Sequence, residues 1–196
     1  MDNSSFRLDG KVAWVTGASY GIGFAIASAY ASRGAEIVFN DLNPDKLEKG
    51  IAAYKEKGIE AYGEVCDVTK EEEVQAFVKK IIDKFGHLDI LVNNAGIIKR
   101  IPRTDRSEKD FRAVVDVDLV APFIVSKAVI PYRIKEGHGK IINICSRMSE
   151  LGRETVSAYA AAKGGLKRLT RNICSEYGAY NTQCNGIGPG YIATPQ

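Results

Sequence analysis

The sequence predicts an α/β fold in which a parallel sheet is wound with helices on both of its faces. Six short segments rich in β-branched residues alternate with longer amphipathic segments, which is the pattern of consecutive β-α-β units. The chain has 196 residues, of which 45% are hydrophobic and 26% charged, enough for one substantial core. No linker, low-complexity segment or repeat longer than one β-α unit interrupts it, so we expect a single domain over residues 1–196.

Each predicted strand is a short run that ends at a glycine, aspartate, asparagine or serine. In chain order the strands are the segments 11–17, 35–41, 60–67, 88–94, 140–146 and 182–188. Start signals precede three of the helices between them. They are a first-turn proline at Pro44, a capping box formed by Thr69 and Glu72, and a capped start at Ser107 and Asp110 for a helix over about 108–135.

Composition and charge exclude several classes of function. Lys and Arg number 27 against 24 Asp and Glu, with the two signs interspersed, so no surface for nucleic acid or anionic lipid is indicated. The first ten residues lack the apolar stretch of a signal peptide, and no apolar run approaches the length of a membrane span, so we expect a soluble, cytoplasmic protein. We therefore expect a small-molecule partner.

The cysteines and histidines indicate neither a metal site nor a disulfide framework. The cysteines are widely spaced without a C-x-x-C pair, and the two histidines lie far apart. We expect buried, reduced thiols at Cys66, Cys145, Cys174 and Cys184.

The segment VTGASYGIG (15–23) joins the first strand to the next helix and contains Gly17, Gly21 and Gly23. Glycines there let the backbone turn tightly and approach a ligand closely, and the N-terminus of a helix attracts a pyrophosphate. The spacing G-x-x-x-G-x-G differs from the G-x-G-x-x-G dinucleotide fingerprint, so a glycine-rich turn without a ligand is the alternative. The first interpretation predicts a Rossmann-type nucleotide site.

Asp41 ends the second strand about 20 residues after the glycines, where a carboxylate can accept hydrogen bonds from an adenosine ribose. Because it would repel a 2′-phosphate, and because Tyr20, Asn40 and Leu42 are not basic, NAD is the favoured cofactor and NADP the second option. An ordinary turn or N-cap acid is the alternative for Asp41. Asp67, at the end of the third strand, can bond an adenine amino group or equally cap a loop.

The segment SAYAAAKGG (157–165) places Tyr159 and Lys163 four residues apart on one face of a predicted helix. This face is either a slim stretch of small residues that carries two polar side chains, or a proton-transfer pair. A free tyrosine, with a pKa of about 10, is a poor base at neutral pH, and a nearby ammonium favours the phenolate that a base needs. Ser146, at the end of the fifth strand, can hydrogen-bond the reacting oxygen.

Together and in this order, TGASYGIG, NNAG (93–96), Ser146, the Tyr159 and Lys163 pair and PGYIAT (189–194) resemble the motifs of the short-chain dehydrogenase/reductase family. The resemblance extends over nearly the whole chain and implies a Rossmann-type fold and NAD(P)-dependent oxidation or reduction. It implies that Tyr159 is the acid/base and that Lys163 is its electrostatic partner, which also binds the nicotinamide ribose. The cofactor-binding residues that it implies are Gly17, Ser19, Gly21, Ile22, Gly23, Asp41, Asp67, Val68, Asn93, Ala95, Gly96, Tyr159, Lys163, Pro189, Gly190, Ile192 and Thr194.

One departure from the family concerns its proton relay. The family usually has an asparagine in the helix after the fourth strand, in a relay that passes the proton from the lysine through water to solvent. Here VDVDL (116–120) puts Asp118 at that place. A carboxylate can also accept a hydrogen bond from water, but it adds a charge near Lys163. We count Asp118 with the catalytic residues Ser146, Tyr159 and Lys163, and an ordinary helix acid is the alternative.

The segments around Ser146 and after the fourth strand resemble the gluconate 5-dehydrogenase branch of the family, which implies interconversion of D-gluconate and 5-keto-D-gluconate. A sugar acid needs a cation for its carboxylate, and Arg100, Arg147 and Arg153 follow strand ends. We expect Arg100, Ser146, Arg147 and Tyr159 to bind the substrate. Three alternatives stay open: a solvated basic loop around Arg100, a reductase of another carbonyl such as 2-deoxy-gluconate or a 3-oxoacyl thioester, and a nucleotide-binding module without turnover.

The chain ends at Gln196, where the substrate-covering segment begins in the family that it resembles. We expect the sequence to be an incomplete record of a longer protein, without the C-terminal strand and the substrate lid. The resemblance also implies a homodimer or homotetramer, paired through the helices around 108–135 and 155–177.

Overall fold

Six strands form one sheet in residues 6–194, the part of the chain that the computed structural model describes. The strands are β1 (Val12–Thr16), β2 (Glu36–Asp41), β3 (Ala61–Val65), β4 (Ile90–Asn93), β5 (Gly139–Ile144) and β6 (Thr182–Ile187). All of them run parallel, in the order β3-β2-β1-β4-β5-β6. The predicted parallel sheet is confirmed, whereas the chain end at Gln196 lies outside the described residues.

Helices connect the strands and cover both faces of the sheet. They are α1 (Gly21–Ala31), α2 (Pro44–Glu56), α3 (Glu71–Phe85), α4 (Glu108–Val115), α5 (Ala121–Glu136) and α6 (Ser157–Tyr177). Two clusters of buried side chains lie on opposite faces, and β1 contributes to both, with Trp14 on the side of α3 and α5 and Val15 on the side of α1 and α2. Alternate residues of a strand point to opposite faces of the sheet. Where both faces are buried, the sequence of the strand is therefore a continuous apolar run.

Two of the predicted helix starts are confirmed. Pro44 is the first residue of α2, and the Ser107 hydroxyl accepts the Asp110 N–H at 3.0 Å ahead of α4. The helix that follows is not continuous as predicted, because a π-helical turn, Asp116–Val120, separates α4 from α5. A π turn holds one more residue than an α-helical turn and therefore rotates the residues within it.

The predicted capping box at Thr69 and Glu72 is wrong. Helix α3 begins at Glu71, and Lys70, which makes no side-chain cap, precedes it. The Thr69 hydroxyl instead donates to a carboxylate oxygen of Asp67 at 2.7 Å. Threonine hydroxyls can serve a local turn as readily as a helix start, and the loop after β3 uses this one for a turn.

No helix within residues 6–194 is long and apolar enough to cross a membrane. The same residues contain no group of three or more histidine, cysteine or acidic side chains that could hold a metal ion. The cysteines are free, and Cys66, Cys145 and Cys184 are buried as expected. Cys174 lies on the exposed side of α6, so the expectation of a buried thiol is wrong there.

Candidate active site

A cavity of about 640 Å³ opens at the carboxyl ends of the strands, where the strand order reverses between β1 and β4. The predicted cofactor-binding residues that line it are Gly17, Gly21, Ile22, Asp41, Asp67, Val68, Ala95, Gly96, Tyr159, Lys163, Pro189, Gly190, Ile192 and Thr194. The predicted catalytic and substrate-binding residues Asp118, Ser146, Arg100 and Arg147 line the same cavity. The fold therefore brings most of the residues predicted from separate motifs to one place.

The glycines after β1 have two different structural roles. Gly17 and Gly21 have φ angles of +62° and +67°, in the left-handed region that favours glycine. A Cβ at Gly17 would also lie 3.0 Å from the Cα of Ala95. At Gly23 a Cβ would overlap the side-chain amide of Asn94, so this glycine lets α1 pack against the end of β4. Gly17 and Gly21 face the cavity, whereas Gly23 lies behind it.

Ser19 is buried in the same loop and does not line the cavity. Within residues 6–194 its hydroxyl has no hydrogen-bond partner. Buried polar groups are almost always satisfied by protein, water or ligand. An unpartnered hydroxyl beside two turn-forming glycines fits a loop that binds a polar group such as a pyrophosphate.

The two asparagines of NNAG point in different directions. Asn93 is only 3% exposed, and its amide donates inside the sheet to the Asn143 side chain at 2.8 Å and to the Ser126 hydroxyl at 3.2 Å. Asn94 lines the cavity, and its amide donates to the carbonyls of Thr16 and Gly17. Asn93 was predicted to bind the cofactor and Asn94 was not, because a pair of identical residues at a strand end does not show which one faces a cavity.

The acidic residues at the strand ends combine a local turn with a position at the cavity. Asp41 accepts the Asn43 N–H at 3.0 Å, and Asp67 accepts the N–H of Thr69 at 2.9 Å. The turn role that the sequence left open is therefore present, alongside the place of both residues in the lining. Lys46 also lines the cavity, together with Asp41 and Asn43. It was not predicted from the sequence.

Tyr159 and Lys163 share one face of α6, as their spacing predicts. The Lys163 ammonium lies 5.6 Å from the centroid of the Tyr159 ring and donates to the Ile144 carbonyl, at the end of β5, at 2.9 Å. Lys163 is buried, whereas Tyr159 is half-buried. A buried ammonium at this distance stabilises negative charge that develops on the phenol oxygen during proton transfer.

Ser146 follows β5 and is connected to the same helix. Its hydroxyl accepts the Met148 N–H at 3.1 Å, and its own N–H donates to the Ser149 hydroxyl at 3.2 Å. Ser149 in turn donates to the backbone carbonyl of Lys163 at 2.8 Å. This chain of hydrogen bonds fixes the loop after β5 against α6, so that Ser146 and Tyr159 line one cavity.

Asp118 lies in the π turn and is completely buried. One of its carboxylate oxygens accepts the Ile97 N–H at 2.7 Å, and the other lies 3.3 Å from the Lys163 ammonium. Two residues after Lys163, Gly165 packs closely against the same π turn, since a Cβ there would lie 2.8 Å from the Leu119 side chain. Burial raises the pKa of Asp118, and the nearby Lys163 opposes the rise.

Three arginines line the side of the cavity formed by the loops after β4 and β5: Arg100, Arg147 and Arg153. Two of them share an aromatic partner, because the guanidinium carbons of Arg147 and Arg153 lie 5.9 Å and 5.3 Å from the centroid of the Tyr191 ring. These distances are within the range of cation–π attraction. Tyr191 belongs to the PGYIAT segment, but no spacing in the sequence indicated that it would meet arginines from another loop.

Comparisons with known proteins agree over nearly the whole chain. A family model described as short chain dehydrogenase matches residues 11–196. The chain is 54% identical to a 2-dehydro-3-deoxy-D-gluconate 5-dehydrogenase of Formosa agariphila, over 100% of this chain and 75% of the relative. The crystal structure of 2-keto-3-deoxy-D-gluconate dehydrogenase from Streptococcus agalactiae matches with a TM-score of 0.84 and 68% identity, over 97% of this chain and 72% of that one. A gluconate 5-dehydrogenase from Burkholderia cenocepacia, crystallised with NADP and tartrate, matches with a TM-score of 0.90 and 42% identity, over 96% and 74% of the two chains.

Proposed function

We propose that this chain, which belongs to the short-chain dehydrogenase family, acts on a six-carbon sugar acid that reacts at the C5 oxygen. Members of this kind are NAD(P)-dependent oxidoreductases that act on CH–OH groups, and so is this chain. D-gluconate and 5-keto-D-gluconate are the first pair that we propose. The observation that carries the proposal is the position of three arginines, Arg100, Arg147 and Arg153, in the cavity that also contains Tyr159 and Lys163. The names of the Burkholderia and Formosa relatives support it, because one is a gluconate 5-dehydrogenase and the other a 2-dehydro-3-deoxy-D-gluconate 5-dehydrogenase.

Proton transfer is the part of the reaction that the side chains of this chain perform. We assign Tyr159 as the general acid/base, whose phenol oxygen takes the proton of the substrate hydroxyl in oxidation and returns it in reduction. The Lys163 ammonium stabilises the charge on that oxygen, and the Ser146 hydroxyl hydrogen-bonds the reacting oxygen of the substrate. When bound, the nicotinamide ring supplies the acceptor or donor of the hydride.

The residues of the cavity fit such a dinucleotide. Gly17, Gly21 and Ile22 would hold the pyrophosphate, Asp41 the adenosine ribose and Asp67 the adenine. The remaining lining residues that we assign to the cofactor are Val68, Ala95, Gly96, Pro189, Gly190, Ile192 and Thr194. Ser19, Gly23 and Asn93 were also predicted to bind it, but they lie outside the lining, so we assign them to supporting the loop and the strand end that do. Asp41 supports a preference for NAD, and NADP is the second candidate because the Burkholderia relative binds it.

We assign Asp118 to the proton relay as a positioning residue. One carboxylate oxygen lies 3.3 Å from the Lys163 ammonium while the other accepts the Ile97 N–H, so Asp118 is held in place and in turn positions the lysine. A carboxylate at this place can accept a hydrogen bond from a water that carries the proton onward. The same oxygens add negative charge beside Lys163, which the usual asparagine would not do.

The acid end of the substrate requires a cation that can reach it from the cavity wall. Guanidinium groups bind carboxylates with two parallel hydrogen bonds, which fixes the orientation of the substrate as well as its charge. We assign Arg100 and Arg147 to this role, and Arg153 contacts the same Tyr191 ring as Arg147. With the carboxylate held there, a hydroxyl at the far end of the substrate can lie beside Ser146 and Tyr159.

A second substrate is 2-dehydro-3-deoxy-D-gluconate. The relatives of 54% and 68% identity both carry this compound in their names, and it shares the carboxylate and the C5 hydroxyl with gluconate. Reduction of a 3-oxoacyl thioester and a module without turnover are the remaining alternatives. The presence of Ser146, Tyr159 and Lys163 in one cavity favours an active enzyme over such a module.

We also propose that the chain forms a homodimer or homotetramer. Large apolar side chains are exposed along α4, the π turn and α5: Phe111, Val120, Phe123 and Ile134. A row of exposed apolar side chains along one helical segment suits a face that is covered by a second copy. Sedimentation velocity would test this, and a monomer at micromolar concentration would contradict it. A cytoplasmic location stays a prediction.

The deciding experiment is a substrate panel with NAD and with NADP. D-gluconate, 5-keto-D-gluconate, 2-dehydro-3-deoxy-D-gluconate, a 3-oxoacyl thioester and a neutral polyol of the same length would be compared by kcat/KM. We expect turnover of the sugar acids and at least about a tenfold lower kcat/KM for the neutral polyol, because the loss of one charged contact costs about this factor. Turnover of the thioester alone would contradict the proposal, as would binding of the cofactor with no turnover of any compound.

A further inference from the structure

Lys46 lies in the first turn of α2, beside the place where β2 ends. The structure brings it to the cavity through two consecutive hydrogen bonds: Asp41 accepts the N–H of Asn43, and the Asn43 side chain accepts the N–H of Lys46 at 3.0 Å. Asp41, Asn43 and Lys46 all line the cavity, together with Tyr20 from the glycine loop. A basic side chain is therefore present at the ribose end of the cavity, five positions after Asp41 in the sequence.

The Lys46 ammonium is not committed to a carboxylate. Among residues 6–194, no ion pair within 4.0 Å includes it. It lies 3.4 Å from the Tyr20 hydroxyl and 5.1 Å from the centroid of the Tyr20 ring, and the side chain is exposed. An aromatic ring attracts a cation without neutralising its charge, so this ammonium stays available to an anion.

We propose that Lys46 is a cofactor-specificity residue whose ammonium binds the 2′-phosphate of NADP, beside the Asp41 carboxylate that binds the 2′-hydroxyl of NAD. This inference rests on the proposed placement of the adenosine ribose next to Asp41. The carboxylate alone would repel a 2′-phosphate, whereas a cation in the same part of the cavity offsets that repulsion. The expected result is an enzyme that binds both cofactors.

Asp41 is held in place by the sheet and Lys46 is not, which is the difference needed for binding both NAD and NADP. Asp41 is half-buried at a strand end and is held by the Asn43 N–H, so its position is set by the sheet. Lys46 has a flexible four-carbon stem and one long contact with Tyr20, so it can move toward a phosphate or stay on the ring. Binding of NAD then leaves the lysine where it is, and binding of NADP recruits it.

The test compares Lys46→Met with Lys49→Met. Lys49 lies on the same helix, is also exposed and does not line the cavity, so it controls for the general effect of removing a charge from α2. The dissociation constants of NADPH and NADH would be measured by fluorescence titration, and those of 2′,5′-ADP and 5′-ADP by competition. We expect Lys46→Met to weaken NADPH and 2′,5′-ADP by about tenfold and to change NADH and 5′-ADP by less than about twofold, with no change in Lys49→Met.

A second variant, Asp41→Asn, should act in the opposite direction and lower the affinity for NADH relative to NADPH. The effect of Lys46→Met on NADPH should also shrink at high salt, because the contact is exposed and therefore screened. An unchanged ratio of the NADPH and NADH dissociation constants in Lys46→Met, or equal effects of the two lysine variants, would overturn this inference and leave the proposed function standing. A wild-type chain that binds neither nucleotide would overturn both.

Discussion

The Lys163 ammonium lies 3.3 Å from a carboxylate oxygen of Asp118, and both side chains are buried. The two residues come from different elements, one from the middle of α6 and the other from the π turn before α5. A buried ion pair is costly to form but more costly to break on one side, because the remaining charge then has no partner. The electrostatics of the proposed proton-transfer site therefore depend on the backbone irregularity that turns Asp118 inward.

Asp118→Asn should change how stability depends on pH. Burial raises the pKa of Asp118 in the folded chain, so the folded state holds this proton more tightly than the unfolded state. That stabilisation is fully present below the ordinary aspartate pKa of 3.8 and is lost as the pH rises through the raised value. The quantity to follow is the free energy of unfolding of the wild type minus that of Asp118→Asn. Between the two pKa values this difference should fall as the pH rises, by up to about 1.4 kcal/mol per pH unit.

Urea denaturation at a series of pH values would measure that difference. Asp116→Asn is the matched control, because Asp116 lies in the same π turn but is exposed. The change in pH dependence should be larger in Asp118→Asn than in Asp116→Asn. An Asp118→Asn curve that runs parallel to the wild type would mean that Asp118 does not titrate differently in the folded state.

Tyr159→Phe should strongly lower turnover without abolishing cofactor binding. The ring that faces Lys163 at 5.6 Å is kept and only the hydroxyl is lost, so the cavity should keep its shape. Removal of a general acid/base typically costs a factor of about 10² to 10⁴ in rate. Steady-state kcat and the dissociation constant of the nicotinamide cofactor would be measured together, with the exposed Tyr180→Phe as the control. Turnover within about threefold of the wild type would rule out the acid/base role of Tyr159.

Tyr191→Leu should weaken binding of acidic substrates through the arginines that it contacts. The ring is 72% exposed, and each exposed cation–π contact, to Arg147 and to Arg153, is worth about 0.5–1 kcal/mol. Release of both guanidinium groups should raise KM for a sugar acid by about two- to tenfold with little change in kcat. Tyr191→Phe keeps the ring and should behave like the wild type. A similar rise in KM for a neutral polyol would show that the ring acts on the substrate directly.

The parts of the site that could be predicted from the sequence are those set by one element at a time. The central strands β1, β2 and β4 were predictable because burial on both faces favours continuous apolar, β-branched runs. The shared face of Tyr159 and Lys163 follows from helical periodicity. The positions of Gly17 and Gly21 followed from a strand that must turn sharply into a helix, and their positive φ angles are the physical reason for glycine there.

What could not be predicted depends on how separate elements meet. Asn94 lines the cavity, whereas the Asn93 amide donates to Asn143 on the neighbouring strand, and the sequence does not show which of the two has such a partner. The inward turn of Asp118 depends on a π turn, and an amphipathic pattern does not reveal one extra residue per turn. Lys46 lines the cavity with Asp41, and its place there depends on the start of α2, where the Asn43 side chain accepts the Lys46 N–H.

Gly23→Ala and Gly164→Ala should have opposite effects on stability, although both exchange a helical glycine for alanine. A Cβ at Gly23 would overlap the side-chain amide of Asn94 and lie 3.0 Å from the Cα of Ala18, so either the loop or the asparagine must move. Overpacking of this kind costs about 1–3 kcal/mol. A Cβ at Gly164 would have the carbonyl of Ser149 as its nearest neighbour, at 3.9 Å, so the higher helix propensity of alanine should stabilise that variant by up to about 1 kcal/mol.

Urea denaturation of the two variants would measure both changes in one assay, and cofactor titration would separate packing from function. Because the Asn94 amide donates to the carbonyls of Thr16 and Gly17, its displacement should disturb the loop that the proposed pyrophosphate site uses. Gly23→Ala should therefore also weaken binding of the nucleotide, whereas Gly164→Ala should not. A Gly23→Ala variant with wild-type stability and affinity would show that α1 and β4 can separate without cost, and that close packing is not the reason for glycine at this position.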